Sequence, residues 1–180
     1  LRRLIIPGAG VGFIAVSRAL GAGACPLLQR LDIEDSMSGN EGITELSNSL
    51  GSGACPQLQH LDITDSDFGN VGFFALSCAL ISGACRQLQH LDVGQQPSNA
   101  TCESGIIELS KTLERGACPQ LKHLEICGHH AGEAGATALG KALAAGACPQ
   151  LEHLGIANCN PGNAGIAALN KALETGACPE

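Results

Sequence analysis

The amino-acid sequence predicts an α/β fold: a right-handed, curved β/α solenoid with a parallel sheet on its concave side and helices on its convex side. Three observations carry that expectation. The phrase "GACPQLQHLDI", which begins at Gly53, returns in close copies beginning at Gly23, Gly83, Gly116 and Gly146, and a shorter "GACPE" ends at Glu180. The cysteines of the phrase (Cys25, Cys55, Cys85, Cys118, Cys148, Cys178) are separated by 30, 30, 33, 30 and 30 residues, and a fixed period of that size marks stacked repeats. Inside each copy, strand-like alternation is followed by helical spacing of apolar residues.

The elements follow in order from those two patterns. "Leu58-Gln59-His60-Leu61-Asp62-Ile63" alternates like a strand with one buried face. "Gly72-Phe73-Phe74-Ala75-Leu76-Ser77-Cys78-Ala79-Leu80" places apolar side chains at helical spacing, and Gly83 is available as a stop signal. The unit is therefore strand, loop, helix and short return. One unit cannot bury its own apolar face, but each unit of a stack covers its neighbours, so the pile is stable where one member is not. Crossovers between parallel strands are right-handed. Helices pack about 10 Å apart and strands about 4.8 Å apart, so the stack must curve with the sheet inside. Alanine-rich stretches such as "AGATALGKALAAGA" narrow the helical layer and relax that curvature. Glycines recur at the helix starts (Gly42, Gly72, Gly105, Gly135, Gly165), where close packing accounts for them.

Two units depart from the common length. The first is short, since "Leu1-Arg2-Arg3-Leu4-Ile5-Ile6" reaches Gly12 early. The third full unit is long, and its extra residues lie in "GQQPSNATCESG", a polar stretch expected to bulge as a loop. Residues 1–180 are expected to form a single solenoid of about five full repeats plus partial terminal ones. Neither end shows a polar capping unit, so the expectation is a piece of a longer array or a larger polypeptide.

The pattern "Leu28-x-x-Leu31-x-Ile33-x-x-Ser36", matched from Leu58, Leu88, Leu121 and Leu151, resembles the leucine-rich repeat. The helical half, "G-x-x-x-L-x-x-x-L", makes it similar to the ribonuclease-inhibitor-like class, also used in the sensor ends of NOD-like receptors. The resemblance covers essentially the whole chain. It implies protein binding on the concave sheet. Two departures stand out: the period exceeds the family's usual limit of about 29 residues, and the position that commonly carries Asn or Cys reads Ser36, Ser66, Gln96, His129 and Cys159. Serines or waters must then satisfy the loop backbone groups that an asparagine ladder would.

Composition excludes several functions. The net charge is −7 with ten basic residues, so no basic stripe exists for nucleic acid. No apolar run approaches the roughly 20 residues of a membrane span, and the opening "LRRLIIPGAG" is too short for a signal peptide. Six of the ten cysteines sit at the same apolar junction of every repeat, where a thiol behaves as a small buried hydrophobe. A reduced, cytoplasmic protein is expected. The alternative is a secreted chain with bridged cysteines, for which Asn99-Ala100-Thr101 would serve as a glycosylation acceptor.

Along each strand the leucines and isoleucines point inward, so the residues between them face the concave surface. Across the repeats they form columns: Arg30, His60, His90, His123 and His153; then Asp32, Asp62, Asp92, Glu125 and Gly155; then Glu34, Thr64, Gly94, Cys127 and Ala157. A histidine row thus runs beside an acidic row. The expected contact surface for a basic or polar protein partner is Arg30, Asp32, Glu34, His60, Asp62, Thr64, His90, Asp92, His123, Glu125 and His153. The alternative is a ladder copied by repeat duplication, with each imidazole merely beside a carboxylate. The lack of Tyr and Trp counts against a tight interface.

No catalytic residue, cofactor or metal is expected. His60, His90, Asp62 and Asp92 have metal-ligand chemistry, but exposed sheet positions rarely converge on one point. In a second metal candidate (Cys127, His129, His130, Cys159), Cys127 should face outward while the His129 and Cys159 column turns inward. Asp65-Ser66-Asp67 lacks the glycine and terminal Glu of a calcium loop and reads as a solvated turn. There is no phosphate-cradling glycine motif and no nucleophile elbow. The contrasting readings are a structural spacer and a GTPase activator, since the activator of the nuclear-transport GTPase has a similar repeat architecture. No loop motif here matches its rim residues.

Overall fold

The computed structural model describes residues 1–8, 10–34, 38–94, 102–128 and 131–176, with Gly10, Val11 and Glu34 placed in the backbone alone. Strands β1 (Arg3–Pro7), β2 (Arg30–Glu34), β3 (His60–Asp62), β4 (His90–Asp92), β5 (His123–Glu125) and β6 (His153–Gly155) alternate with helices α1 (Gly10–Gly21), α2 (Gly39–Gly51), α3 (Asn70–Ile81), α4 (Glu103–Glu114), α5 (Gly132–Ala144) and α6 (Gly162–Glu174). The strands form one parallel sheet in sequence order. Among the described residues this is an α/β architecture that fits a β/α repeat solenoid.

Register is strict. Leu4, Leu31, Leu61, Leu91, Leu124 and Leu154 lie opposite one another along the sheet. Leu28, Leu58, Leu88, Leu121 and Leu151 are fully buried, as are Ile33, Ile63 and Val93. From the helices come Leu20, Leu50, Leu80, Leu113 and Leu143. The buried ones belong to one continuous cluster that runs along the sheet, with Leu4 and Leu154 packed against it. Cys55, Cys85 and Cys118 are free thiols buried in the same cluster. Burial pushes Cys55 and Cys85 up to about 11, as expected of thiols used as hydrophobes.

What stacking contributes is visible at α6, on whose outer side no further coil packs in this structure. Leu173 is 60% exposed whereas its counterpart Leu143 is 1% exposed. Ile166, Leu173 and Leu154 line an apolar depression of about 380 Å³ there.

Strands β3 to β6 span three residues each, shorter than the six-residue alternation suggests. Pairing nevertheless continues past their ends, since Ile63 N–H donates to Asp92 O and Val93 N–H to Glu125 O, each at 2.9 Å. At the other end one carbonyl serves two donors: Gln29 O accepts from Gln59 N–H (2.8 Å) and His60 N–H (3.0 Å).

The helix starts depend on the preceding coil. None of α2 to α6 receives a side-chain bond from its own N-cap residue. Instead Asn40 Oδ1 on α2 accepts from Gly69 N–H (3.0 Å) and Gly72 N–H (2.9 Å) at the start of α3. Asn70 Oδ1 then accepts from Gly105 N–H at 2.7 Å. Glu103 and Glu133 serve Ala134 and Ala164 in the same way, at 3.2 and 3.0 Å. One polar side chain per coil thus satisfies orphan donors of the next helix.

Contact explains four of the five starting glycines, Gly42, Gly72, Gly105 and Gly165, but not Gly135. A Cβ on Gly72 would sit 2.6 Å from Phe68 Cδ2, and Phe68 is itself buried against Phe73 with ring centroids 5.1 Å apart. Helices α5 and α6 approach so closely that a Cβ on Gly140 would lie 2.6 Å from the Ala168 carbonyl carbon.

Two predictions follow from these contacts. Asn70→Ala should lower stability by about 1 kcal/mol, the usual value of a lost cap, read from urea unfolding at unchanged helix content. Gly140→Ala gains about 1 kcal/mol of helix propensity but forces two backbones apart, at a cost of about 1–3 kcal/mol. It should therefore destabilise, whereas Gly135→Ala, whose Cβ meets its nearest neighbour at 3.4 Å, should be neutral or stabilising in the same assay.

Candidate functional site

The register that aligns the leucines also aligns the residues between them on the sheet face turned away from the helices. One row is Arg3, Arg30, His60, His90, His123, His153, and the next is Ile5, Asp32, Asp62, Asp92, Glu125, Gly155. The first two of the three columns read from the sequence are present in the predicted order. Arg3 and Ile5 extend them by one strand. Arg3 immediately precedes Leu4 just as Arg30 precedes Leu31, and that signal could have found it.

One assignment needs correction. Asp32, expected as an exposed contact, is buried at 2% exposure. The cause lies in its two row neighbours: Arg30 Nε donates to Asp32 Oδ2 at 2.7 Å and Arg3 Nη2 to the same oxygen at 3.3 Å. Both guanidinium groups converge on one carboxylate oxygen, while His60 stands beside the other. Asp32 Oδ1 lies 3.3 Å from His60 Nε2 but makes no hydrogen bond with it.

The remaining acids are half-buried. Asp62 Oδ1 accepts from Thr64 N–H (3.1 Å) and from Thr64 Oγ1–H (2.9 Å). Asp92 Oδ1 accepts from Gly94 N–H at 2.9 Å. Burial pushes the Asp92 carboxyl up to about 6; the Gly94 bond opposes this, while the Asp62 and Glu125 charges add to it. Glu34 pairs with Pro7 across the first two strands, and its side chain lies outside the described residues.

The histidines form a stack. Ring centroids are 3.8 Å apart for His60–His90, 4.0 Å for His90–His123 and 4.2 Å for His123–His153, with interplanar angles of 15°, 12° and 6°. Parallel strands spaced about 4.8 Å apart place in-register rings at stacking distance. Burial, then the neighbouring imidazoles, lowers His90 to about 4. Burial also lowers His60, reinforced by Arg30, and lowers His123, reinforced by His153. These three rings are neutral near pH 7, the state a close stack of bases requires.

At β5 and β6 the pattern changes. Glu125 Oε2 lies 2.9 Å from His153 Nε2 and 3.9 Å from His123 Nε2. Burial would raise the Glu125 carboxyl, but hydrogen bonds from Cys127 and His153 and the two imidazoles hold it below the ordinary range. Cys127 in turn is pushed up to about 12 by burial and by Glu125, and its Sγ accepts Ala157 N–H at 2.9 Å.

Donor atoms converge more than the sequence suggests. Among the described residues three triplets have one donor atom each within 4.8 Å of the others: Asp32, His60, Asp62; His90, Asp92, His123; and His123, Glu125, His153. Each triplet joins an i, i+2 pair on one strand to an in-register residue of the neighbouring strand. The second metal candidate includes His129 and His130, which lie outside the described residues along with Ser36, Gln96 and Asn99. Cys127 is half-buried and Cys159 turns into the core, its Sγ–H donating to Ile126 O at 3.1 Å. Ser66 is not part of a solvated turn. It is fully buried, with its hydroxyl donating to Thr64 O at 3.3 Å, so it satisfies a loop carbonyl from inside.

Removing the covered carboxylate should cost more than removing its counterpart. Asp32→Ala should destabilise by about 1–2 kcal/mol, since the lost bonds are charged but both arginines keep contact with water. Asp62→Ala should cost under about 1 kcal/mol in the same urea titration. No protein-family model matches the chain, and no curated protein matches it.

Proposed function

We propose that this chain is a leucine-rich-repeat module of the ribonuclease-inhibitor-like class, right-handed and curved, that binds a basic or polar protein segment on its strand face and performs no chemistry of its own. The observation that carries this reading is the row of half-buried carboxylates Asp62, Asp92 and Glu125 on one open sheet face, in register and facing neutral imidazoles. A negative strip beside uncharged rings attracts lysine and arginine side chains and steers their approach. The distribution of charge supports the same partner, since the only arginines in the row are Arg3 and Arg30, both engaged by Asp32.

The free thiols of Cys55, Cys85 and Cys118, buried in the core, support a reduced, cytoplasmic protein, and no described helix is long and apolar enough to cross a membrane. A spacer role is the second reading. It is favoured by the inward use of Asp32, which shows that at least one member of the acidic column serves the fold.

Asp62→Asn together with Asp92→Asn keeps both acceptor oxygens and removes both charges. Binding of a peptide selected from a lysine- and arginine-rich library should weaken at least tenfold in this double variant, and should weaken with added salt in the wild type. Equal binding by the two proteins would favour the spacer. Acceleration of GTP turnover by a small GTPase would favour the activator.

A further inference from the structure

We propose that His123, Glu125 and His153 form a binding site for a divalent transition metal of the zinc class. The site spans two strands, with His123 and Glu125 two residues apart on β5 and His153 in register with His123 on β6. Two imidazole nitrogens and one carboxylate oxygen are the donor set that leaves a zinc ion one position open for water or a fourth ligand.

The distances fit that ion. With metal–donor bonds of about 2.0–2.1 Å, tetrahedral geometry sets donors about 3.3 Å apart. Glu125 Oε2 lies 2.9 Å from His153 Nε2 and 3.9 Å from His123 Nε2, and all three donor atoms fall within 4.8 Å. Coordination also requires the His123 and His153 rings, stacked at 4.2 Å and 6°, to turn so that their in-plane nitrogen lone pairs converge on one point. The metal takes the place of the hydrogen now held between His153 and Glu125, with each imidazole proton on Nδ1.

A second, independent observation explains why the donors meet here. The acidic column reads Asp32, Asp62, Asp92, then Glu125 and Gly155. Glu125 has one more methylene than the aspartates, and its carboxylate occupies the space that a side chain at position 155 would fill. A Cβ built on Gly155 would collide with both Glu125 oxygens. The glycine therefore acts as a cradle that lets Glu125 cross to β6 and reach His153. The two substitutions that break the repeat are the two that assemble this triplet.

The other triplets are poorer hosts. Asp32 is already neutralised by Arg3 and Arg30, whose charges repel a cation. In the His90 triplet Asp92 Oδ1 is committed to Gly94 N–H. At the proposed site the side chains of His123, Glu125 and His153 are 29%, 22% and 53% exposed, so an ion can enter without opening the core. The nearest lysine on β5's flank, Lys122, is paired with Glu152 at 2.8 Å.

The test uses the full chain without an affinity tag. Zn²⁺ is titrated by calorimetry, and Co²⁺ binding is read from its electronic spectrum. One Zn²⁺ per chain is expected, displaced by His153→Ala and Glu125→Gln with at least tenfold loss of affinity. Gly155→Ala should lose as much while all three ligands remain, because it closes the cradle; His60→Ala should bind as the wild type does. The Co²⁺ complex should show nitrogen and oxygen ligation without thiolate charge-transfer bands, and Cys127→Ser should keep it. Circular dichroism confirms that each variant is folded. Absence of binding in the wild type, equal affinity in the His153, Glu125 and Gly155 variants, or thiolate bands in the cobalt complex would each overturn the proposal. None of these outcomes depends on whether a basic peptide binds at Asp62 and Asp92.

Discussion

The structure depends on one constraint: every coil must lie in register with the next, because neither its core nor its helix start is complete alone. Leucines at equivalent positions share one interior, so a coil with a neighbour on both sides buries what an end coil exposes. The same holds for hydrogen bonds. Asn40, Asn70, Glu103 and Glu133 each reach across to the following helix, so a slip of one residue would break caps as well as mismatch the leucines. Apolar packing supplies the driving force and the capping side chains make the register specific.

The surface inherits this constraint. Rings of His60, His90, His123 and His153 stack because their backbones are held in line, not because imidazoles attract strongly enough to align strands. Stacking and burial then keep three of them neutral, and burial beside like charges makes Asp92 reluctant to ionise. One repeated phrase therefore produces different local chemistry at each position, depending on what heads the row and what ends it. At β2 two arginines turn an aspartate into part of the fold. At β5 a longer acid beside a glycine turns a carboxylate toward two imidazoles.

Much of this was legible in the chain. The thirty-residue period and the Leu28 to Leu151 series predict the order of elements, the shared core and the membership of the columns, because periodicity records which face of an element meets its neighbour. The buried thiols were legible from their fixed place at an apolar junction. The fate of Asp32 was not. It depends on Arg3 and Arg30 both bending onto one Asp32 oxygen, a side-chain contact that the alignment of strands does not give. Helix capping was hidden for a related reason: the donors and acceptor lie about thirty residues apart, where local cap signatures do not look. Convergence of Glu125 on His153 required knowing that Gly155 lies directly opposite, which is a property of pairing and not of either segment.

The two ends of the row differ in sign, and their separation determines whether they act together. Arg3 and Arg30 with Asp32 leave about one positive charge at β1 and β2, while Asp62, Asp92 and Glu125 leave the far side negative. Four strand spacings of about 4.8 Å separate β1 from β5, roughly 19 Å. That is about twice the Debye length at physiological salt, so Arg3 and Glu125 act on their surroundings separately, whereas Arg30 and Asp62, on adjacent strands, partly offset one another. A segment lying across the strands would meet the arginines at one end and the carboxylates at the other, which sets its direction as well as its affinity. Identical repeats could not do this. Under the proposed reading, that direction would come from the arginines at one end of the row and the longer acid at the other.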